Sequence, residues 1–168
     1  MVDDRPIHVP RPPGGHRRSG GVSAVAPSGT LSFADDEEVT MANGLGAGRR
    51  WLFLGAMLGG IGVALGAFGA HGLRGRVAGD LLAVWETASR YHLAHALALL
   101  AVAWVASRAD GLAVRISGWG FVLGVVVFSG SLYLMTLTGA RWLGAITPLG
   151  GVAFLLGWFA LAASTLRR

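Results

Sequence analysis

From Trp51 to Ala70 the chain runs twenty residues without an Asp, Glu, Lys or Arg, and no other feature constrains its fold as tightly. At ~1.5 Å per residue, a helix of that length covers the ~30 Å hydrocarbon core of a bilayer. Backbone groups in hydrocarbon must be paired within the segment, so the run predicts a transmembrane α-helix over about 51–70. Gly55, Gly59, Gly62, Gly66 and Gly69 fall within an arc of about 80° at roughly 100° per residue. Such a stripe admits a second backbone at close range, which is how helices associate when the surrounding lipid is as apolar as their side chains.

The remaining chain extends the reading to an all-α polytopic membrane protein, a four-transmembrane-helix bundle. Of 168 residues 53% are hydrophobic and 14% charged, and the mean hydropathy is +0.57, too apolar for an ordinary soluble domain. A second span is expected at about 88–107, in a helix running from Leu81 to Ser107 with Asp80 as N-cap. A third is expected at about 116–138. Its small and polar residues form two stripes, Gly120, Gly124, Ser131 and Thr138 on one side and Ser129, Tyr133 and Thr136 roughly opposite, which predicts neighbours on both faces. Thr147 and Pro148 suit an N-cap and first helical position, so a fourth span is placed at about 148–166.

Residues 1–48 read as a disordered polar tail, rich in proline and glycine and carrying the acidic run Asp35 to Glu38. Met41 precedes a short polar leader, "MANGLGAGRR", and is an expected alternative start. "RRWLFL" at 49–54 resembles a twin-arginine export signal, but the apolar run exceeds a usual signal core, so an uncleaved span is expected. Residues 51–168 hold eight arginines against three acids, which is the whole net charge of +5. The arginines stand in ones and twos at span edges, not on a basic patch, so nucleic acid is not an expected partner. Arg49, Arg50, Arg108, Arg115, Arg167 and Arg168 outnumber Arg74, Arg76, Arg90 and Arg141 on the other side, which predicts both termini in the cytoplasm.

Cysteine and lysine are both absent, which excludes disulfides, thiol nucleophiles, a Walker lysine and a lysine Schiff base. The candidate polar cluster is His71, Glu86, Arg90, Tyr91, His95, Ser129, Ser131 and Tyr133. His71 falls at the end of the first span, where water or headgroups reach it. Glu86 and Arg90 have the spacing and order of a helical ion pair. His92 and His95 lie about 60° apart around one helix, but spacing supplies no third ligand, so neither a metal nor a cofactor is expected. Ser129 and Ser131 lack a nucleophile-elbow pattern and are expected to hydrogen-bond between helices.

"GAFGAHGL" at 66–73, "WETASRYHLAHALALL" at 85–100, "FSGSLY" at 128–133 and "TPLGGVAFLLGW" at 147–158 together resemble the domain of unknown function 423 family. The resemblance covers about residues 51–166 in order. It falls on Gly66, Gly69, His71, Trp85, Tyr91, His95, Ser129, Gly130, Ser131, Tyr133, Thr147, Pro148, Gly150, Gly151, Gly157 and Trp158, and implies a small multi-span membrane protein with no assigned catalytic residue. The leading expectation is a non-enzymatic protein of the bacterial inner membrane, acting through the bilayer, copies of itself or other membrane proteins. Two rivals are a small transporter or proton conductor using His71, His95, Glu86 and Tyr91, and a membrane enzyme built on the same groups.

Overall fold

A computed structural model describes the backbone of residues 33–166, with side chains described from Arg49 onward. Among the described residues, five α-helices make four antiparallel rods. α1 (Phe33–Ala67) continues through a π-helical turn (Phe68–Leu73) and reverses into α2 (Gly79–Ala106). The third rod is α3 (Leu112–Gly124), a π-helical turn (Val125–Ser129) and α4 (Gly130–Thr138); a 3-10 turn (Arg141–Ala145) then leads into α5 (Thr147–Leu166). Gly139 ends α4 with φ 73°, a left-handed conformation that glycine adopts without penalty. Three stretches, Gly48–Leu73, Leu112–Thr138 and Arg141–Leu166, are long and apolar enough to cross a membrane. The helical membrane architecture expected from sequence is thus present.

Two boundaries differ from expectation. The disordered tail was expected to reach residue 48, but the backbone is already helical from Phe33. No proline interrupts residues 33–67, and the first span supplies the nucleus from which a helix can extend. Residues 1–32, which carry the rest of that expectation, lie outside the described residues. α2 starts from Ala78 without a side-chain cap, and Asp80 sits in its first turn. There Asp80 accepts from Arg141 at 2.7 Å, a tie between the two ends of the chain's α2 and 3-10 turn.

α1 and α2 meet along a line that repeats every seven residues. A Cβ at Gly48 would stand 3.1 Å from the Ala103 carbonyl oxygen, at Gly55 3.1 Å from that of Ala96, and at Gly62 2.8 Å from the Leu93 side chain. Gly69, next on the line, lies against the Trp85 indole. A seven-residue line between antiparallel helices is the seam geometry of a left-handed pair. Gly66 is approached only by the Ser89 hydroxyl, at 3.1 Å. Gly59 corrects the expected stripe: it lies one turn off the seam, and a Cβ there would meet nothing within 4 Å.

The third rod and α5 form a second close pair. A Cβ at Gly120 would lie 2.9 Å from the Ala153 carbonyl oxygen and 2.9 Å from Gly157 Cα, and one at Gly150 would lie 2.7 Å from Phe128 Cα. Gly124 is overlaid by the Phe154 ring. The two pairs join where α2 packs on the third rod, over a core containing Trp51, Leu99, Val102, Phe121 and Phe154. The two-faced packing expected of the third rod is observed, with Gly120, Gly124 and Ser131 toward α5 and Ser129, Tyr133 and Thr136 toward α2. Thr138 is the exception, bonding its own helix at Leu134.

Where a glycine faces backbone, nothing flexible can yield. Gly150→Ala and Gly120→Ala are therefore each expected to cost about 1–3 kcal/mol by overpacking. Gly59→Ala should be neutral or stabilising by up to about 1 kcal/mol, since alanine is the better helix former. Reversible unfolding of the three variants in detergent checks the order.

Candidate functional site

The polar residues picked out in the sequence divide into an interior layer and an outer cleft. Within the layer, Ser129 is fully buried and its hydroxyl donates to the Ala88 carbonyl on α2 at 2.9 Å. Thr136 donates to the Leu81 carbonyl at 3.1 Å as well as to its own Leu132. Tyr133 lies 4.4 Å from the Trp85 ring, centroid to centroid, and its hydroxyl stands 3.5 Å from His92 Nδ1. These contacts pin α2 to the third rod at three levels. Ser131 instead reaches the Thr147 hydroxyl at 2.9 Å and ties the third rod to α5.

His95 is the best-fixed ionisable group of the layer. Its ring stacks on Phe154 at 3.5 Å and 10° and packs on Phe121. Nδ1 lies 2.7 Å from the Tyr91 carbonyl, and the Trp158 indole N–H donates to Nε2 at 3.2 Å. A carbonyl only accepts and an indole N–H only donates, so the partners assign the neutral ring with its proton on Nδ1. Both nitrogens are then occupied, and neither is open to a metal or a proton donor. Tyr91 is 45% exposed and lies over Phe128 and Phe154.

His71 is exposed on the π-helical turn, and Glu86 and Arg90 are exposed on α2. The expected Glu86–Arg90 ion pair does not form: Arg90 donates to the Glu86 backbone carbonyl and to the Thr87 hydroxyl, both at 3.4 Å. Backbone and hydroxyl acceptors on its own turn intercept the guanidinium before it reaches the carboxylate. Glu86 and Arg90 line a cleft of about 330 Å³ between α1 and α2, with Arg74 on its rim and Gly66, Gly69 and Trp85 among its walls. Of the four groups proposed to conduct protons, only Glu86 lines this cleft. Among the described residues no three His, Asp or Glu side chains are grouped as metal ligands.

Sequence reasoning did not identify the partners that complete the layer. Trp158 and Phe154 meet His95 across 63 and 59 positions of chain, and Trp85 reaches the Leu65 carbonyl at 2.9 Å. The seven-residue spacing of Gly48, Gly55, Gly62 and Gly69 was the legible signal for the seam, and it predicts Trp85 only once the helices are paired.

Ser129→Ala and Thr136→Val are each expected to lose about 0.6–1.7 kcal/mol, the range of interhelical hydrogen bonds in membranes. The two sites lie two turns apart without a shared partner, so the double variant should be additive within about 0.5 kcal/mol; unfolding in detergent measures all three. The Arg141 guanidinium, which hydrogen-bonds Asp80, holds that carboxyl below its ordinary value. The tie therefore stabilises at pH values above the ordinary carboxylate range and is lost as pH falls through the lowered value. Asp80→Asn should flatten that part of the profile of midpoint against pH, and an unchanged profile would exclude the tie as its source.

Residues 65–151 match the family described as "Protein of unknown function (DUF423)". The UPF0382 membrane protein YwdK of Bacillus subtilis (strain 168) is 45% identical over 118 residues, which is 70% of this chain and 96% of the relative. The UPF0382 membrane protein SERP0230 of Staphylococcus epidermidis is 44% identical over 117 residues, 70% of this chain and 95% of the relative. SAB0533 of Staphylococcus aureus, with the same description, is 44% identical over 119 residues, 71% and 97%. No solved structure matches. A relative of such identity, spanned almost end to end, and a family match over half the chain agree with the membrane-long apolar helices: the chain belongs to the DUF423 family of membrane proteins.

Proposed function

We propose that this chain is a four-span, non-catalytic protein of the bacterial inner membrane, with both termini in the cytoplasm, acting through contacts with lipid, with copies of itself or with other membrane proteins. The observation that carries the reading is the use to which interior polar groups are put. Ser129, Ser131, Tyr133 and Thr136 each reach a neighbouring helix, and His95 has both nitrogens occupied, one by its own helix and one by α5. A catalytic or conducting group needs an open coordination or proton-transfer position.

α2 supports a fourth crossing. It has 28 residues, and its outer face carries Leu97, Leu100 and Trp104 exposed, an apolar surface that lipid covers and water does not. Its charged residues Asp80, Glu86 and Arg90 gather toward the end beside the α1–α2 turn. Arg108 stacks on Trp104 at 3.9 Å at the other end, the aromatic and basic pairing of a membrane interface.

The natural chain has no cysteine, so single cysteines report topology without background. Cysteines at Gly75 and Ala140 should react with an impermeant maleimide from outside intact cells, and one at Ala109 only after lysis. Labelling of Ala109→Cys from outside would reverse the orientation, and equal labelling of Gly75→Cys and Ala109→Cys would remove the crossing by α2. In liposomes, proton flux should equal that of empty vesicles; flux abolished by His95→Ala would establish conduction in place of this reading.

A further inference from the structure

The cleft between α1 and α2 holds an arrangement of charge that the bundle does not use. On α2, Leu82, Glu86, Arg90 and Leu93 line it at intervals of four, four and three residues, one continuous face of the helix. Arg90 lies eleven residues beyond Gly79, the start of α2, which at ~1.5 Å per residue puts its Cα about 16 Å along the helix from the turn. A guanidinium at the headgroup end of a span is stabilised by pairing with an anion such as a lipid phosphate. Among the described residues no carboxylate lies within 4.0 Å of Arg90 or Arg74, and the bonds of Arg90 to the Glu86 carbonyl and Thr87 are long. Gly66 and Gly69 line the α1 side without side chains, and the Trp85 indole, held by its bond to the Leu65 carbonyl, packs over Gly69 as part of the wall.

We propose that this cleft binds one bilayer phospholipid by its headgroup, the phosphodiester taken between Arg74 and Arg90 and a headgroup ammonium facing Glu86. Two guanidinium groups and one carboxylate complement a zwitterionic phosphoethanolamine head better than a head whose only charge is negative. Arginine suits the phosphate because its planar fork bonds two oxygens at once. The volume of about 330 Å³ lies within the range of small-ligand pockets. An acyl chain leaving the cleft past Leu93 meets the exposed apolar face of α2 at Leu97 and Leu100. The inference rests on α2 crossing the bilayer beside α1.

The test uses full-length protein purified in mild detergent, with co-purified phospholipid counted by native mass spectrometry. Wild type is expected to retain one phosphatidylethanolamine, and Arg74→Gln/Arg90→Gln to retain it at least about tenfold less, the loss of roughly 1.4 kcal/mol or more. Arg76→Gln, a neighbour outside the cleft, should retain it like wild type. Equal retention by the double variant, or equal loss in Arg76→Gln, overturns the proposal. Should the double variant fail to fold, wild type decides: its unfolding midpoint should rise on adding short-chain phosphatidylethanolamine and not on adding diacylglycerol with the same chains. An equal rise with diacylglycerol, a larger rise with phosphatidylglycerol, or displacement by millimolar inorganic phosphate each refutes a zwitterionic lipid site. The cysteine labelling at Gly75 and Ala109 reads the crossing of α2 separately, so a misplaced helix and an absent lipid are distinguishable.

Discussion

Backbone contact at glycine is the interaction on which the rest of this bundle depends. Lipid offers helices no hydrophobic reason to leave it, so their association must come from close packing and from polar bonds between them. The chain uses the first within two pairs and the second between those pairs. Gly48, Gly55, Gly62 and Gly69 seat α1 on α2, while Gly120 and Gly150 bring the third rod and α5 together backbone on backbone. Ser129, Thr136 and Tyr133 then pin one pair to the other through the carbonyls of Ala88 and Leu81 and the ring of His92. Polar pins of this kind work only if the pairs are already close. A hydroxyl bond is short-ranged, and the glycines set the range.

That division of labour shows in how the hydroxyls of the third rod are used. A buried hydroxyl that donates across to a backbone carbonyl is satisfied without a water or an ion, and it fixes rotation as well as distance. His95 carries the principle furthest. Its carbonyl acceptor lies on its own helix and its indole donor on α5, and an aromatic face on α5 holds the ring plane. A proton added at Nε2 would meet the N–H of Trp158 and displace it. The ring is therefore a structural joint among three helices.

The fold was legible where the physics is one-dimensional. A twenty-residue uncharged run reports bilayer thickness directly, and the opposed stripes of the third rod gave both its faces, because side-chain direction in a helix follows from spacing alone. The site was less legible because its partners are set by pairing between helices. Glu86 and Arg90 have ideal spacing for an ion pair, yet Arg90 turns to nearer acceptors on its own turn. Gly59 belongs to the expected arc but not to the contact, since the partner helix follows a seven-residue line and an arc of about 80° is wider than that line. Trp158 could not be matched to His95 from sequence, as nothing local relates residues 63 positions apart.

α2 resolves an apparent contradiction in the design. It carries both buried histidines and three charged residues and is not among the three stretches apolar enough to cross a membrane on composition alone, yet it is packed on both sides. The two properties require each other. A helix covered by α1 on one face and by the third rod on another leaves only a narrow outer strip, and that strip is where Leu97, Leu100 and Trp104 lie exposed. Its histidines can then be enclosed without facing hydrocarbon. Its charges cannot be enclosed without partners, and they stand instead at one end, at the cleft with Arg74 and at the tie with Arg141. Hydropathy averaged around the helix merges these surfaces into one number, whereas only the outer strip is exposed. The rod that carries the buried histidines is thereby suited to the centre of the bundle, and the glycine seam of α1 is what allows it to be covered there.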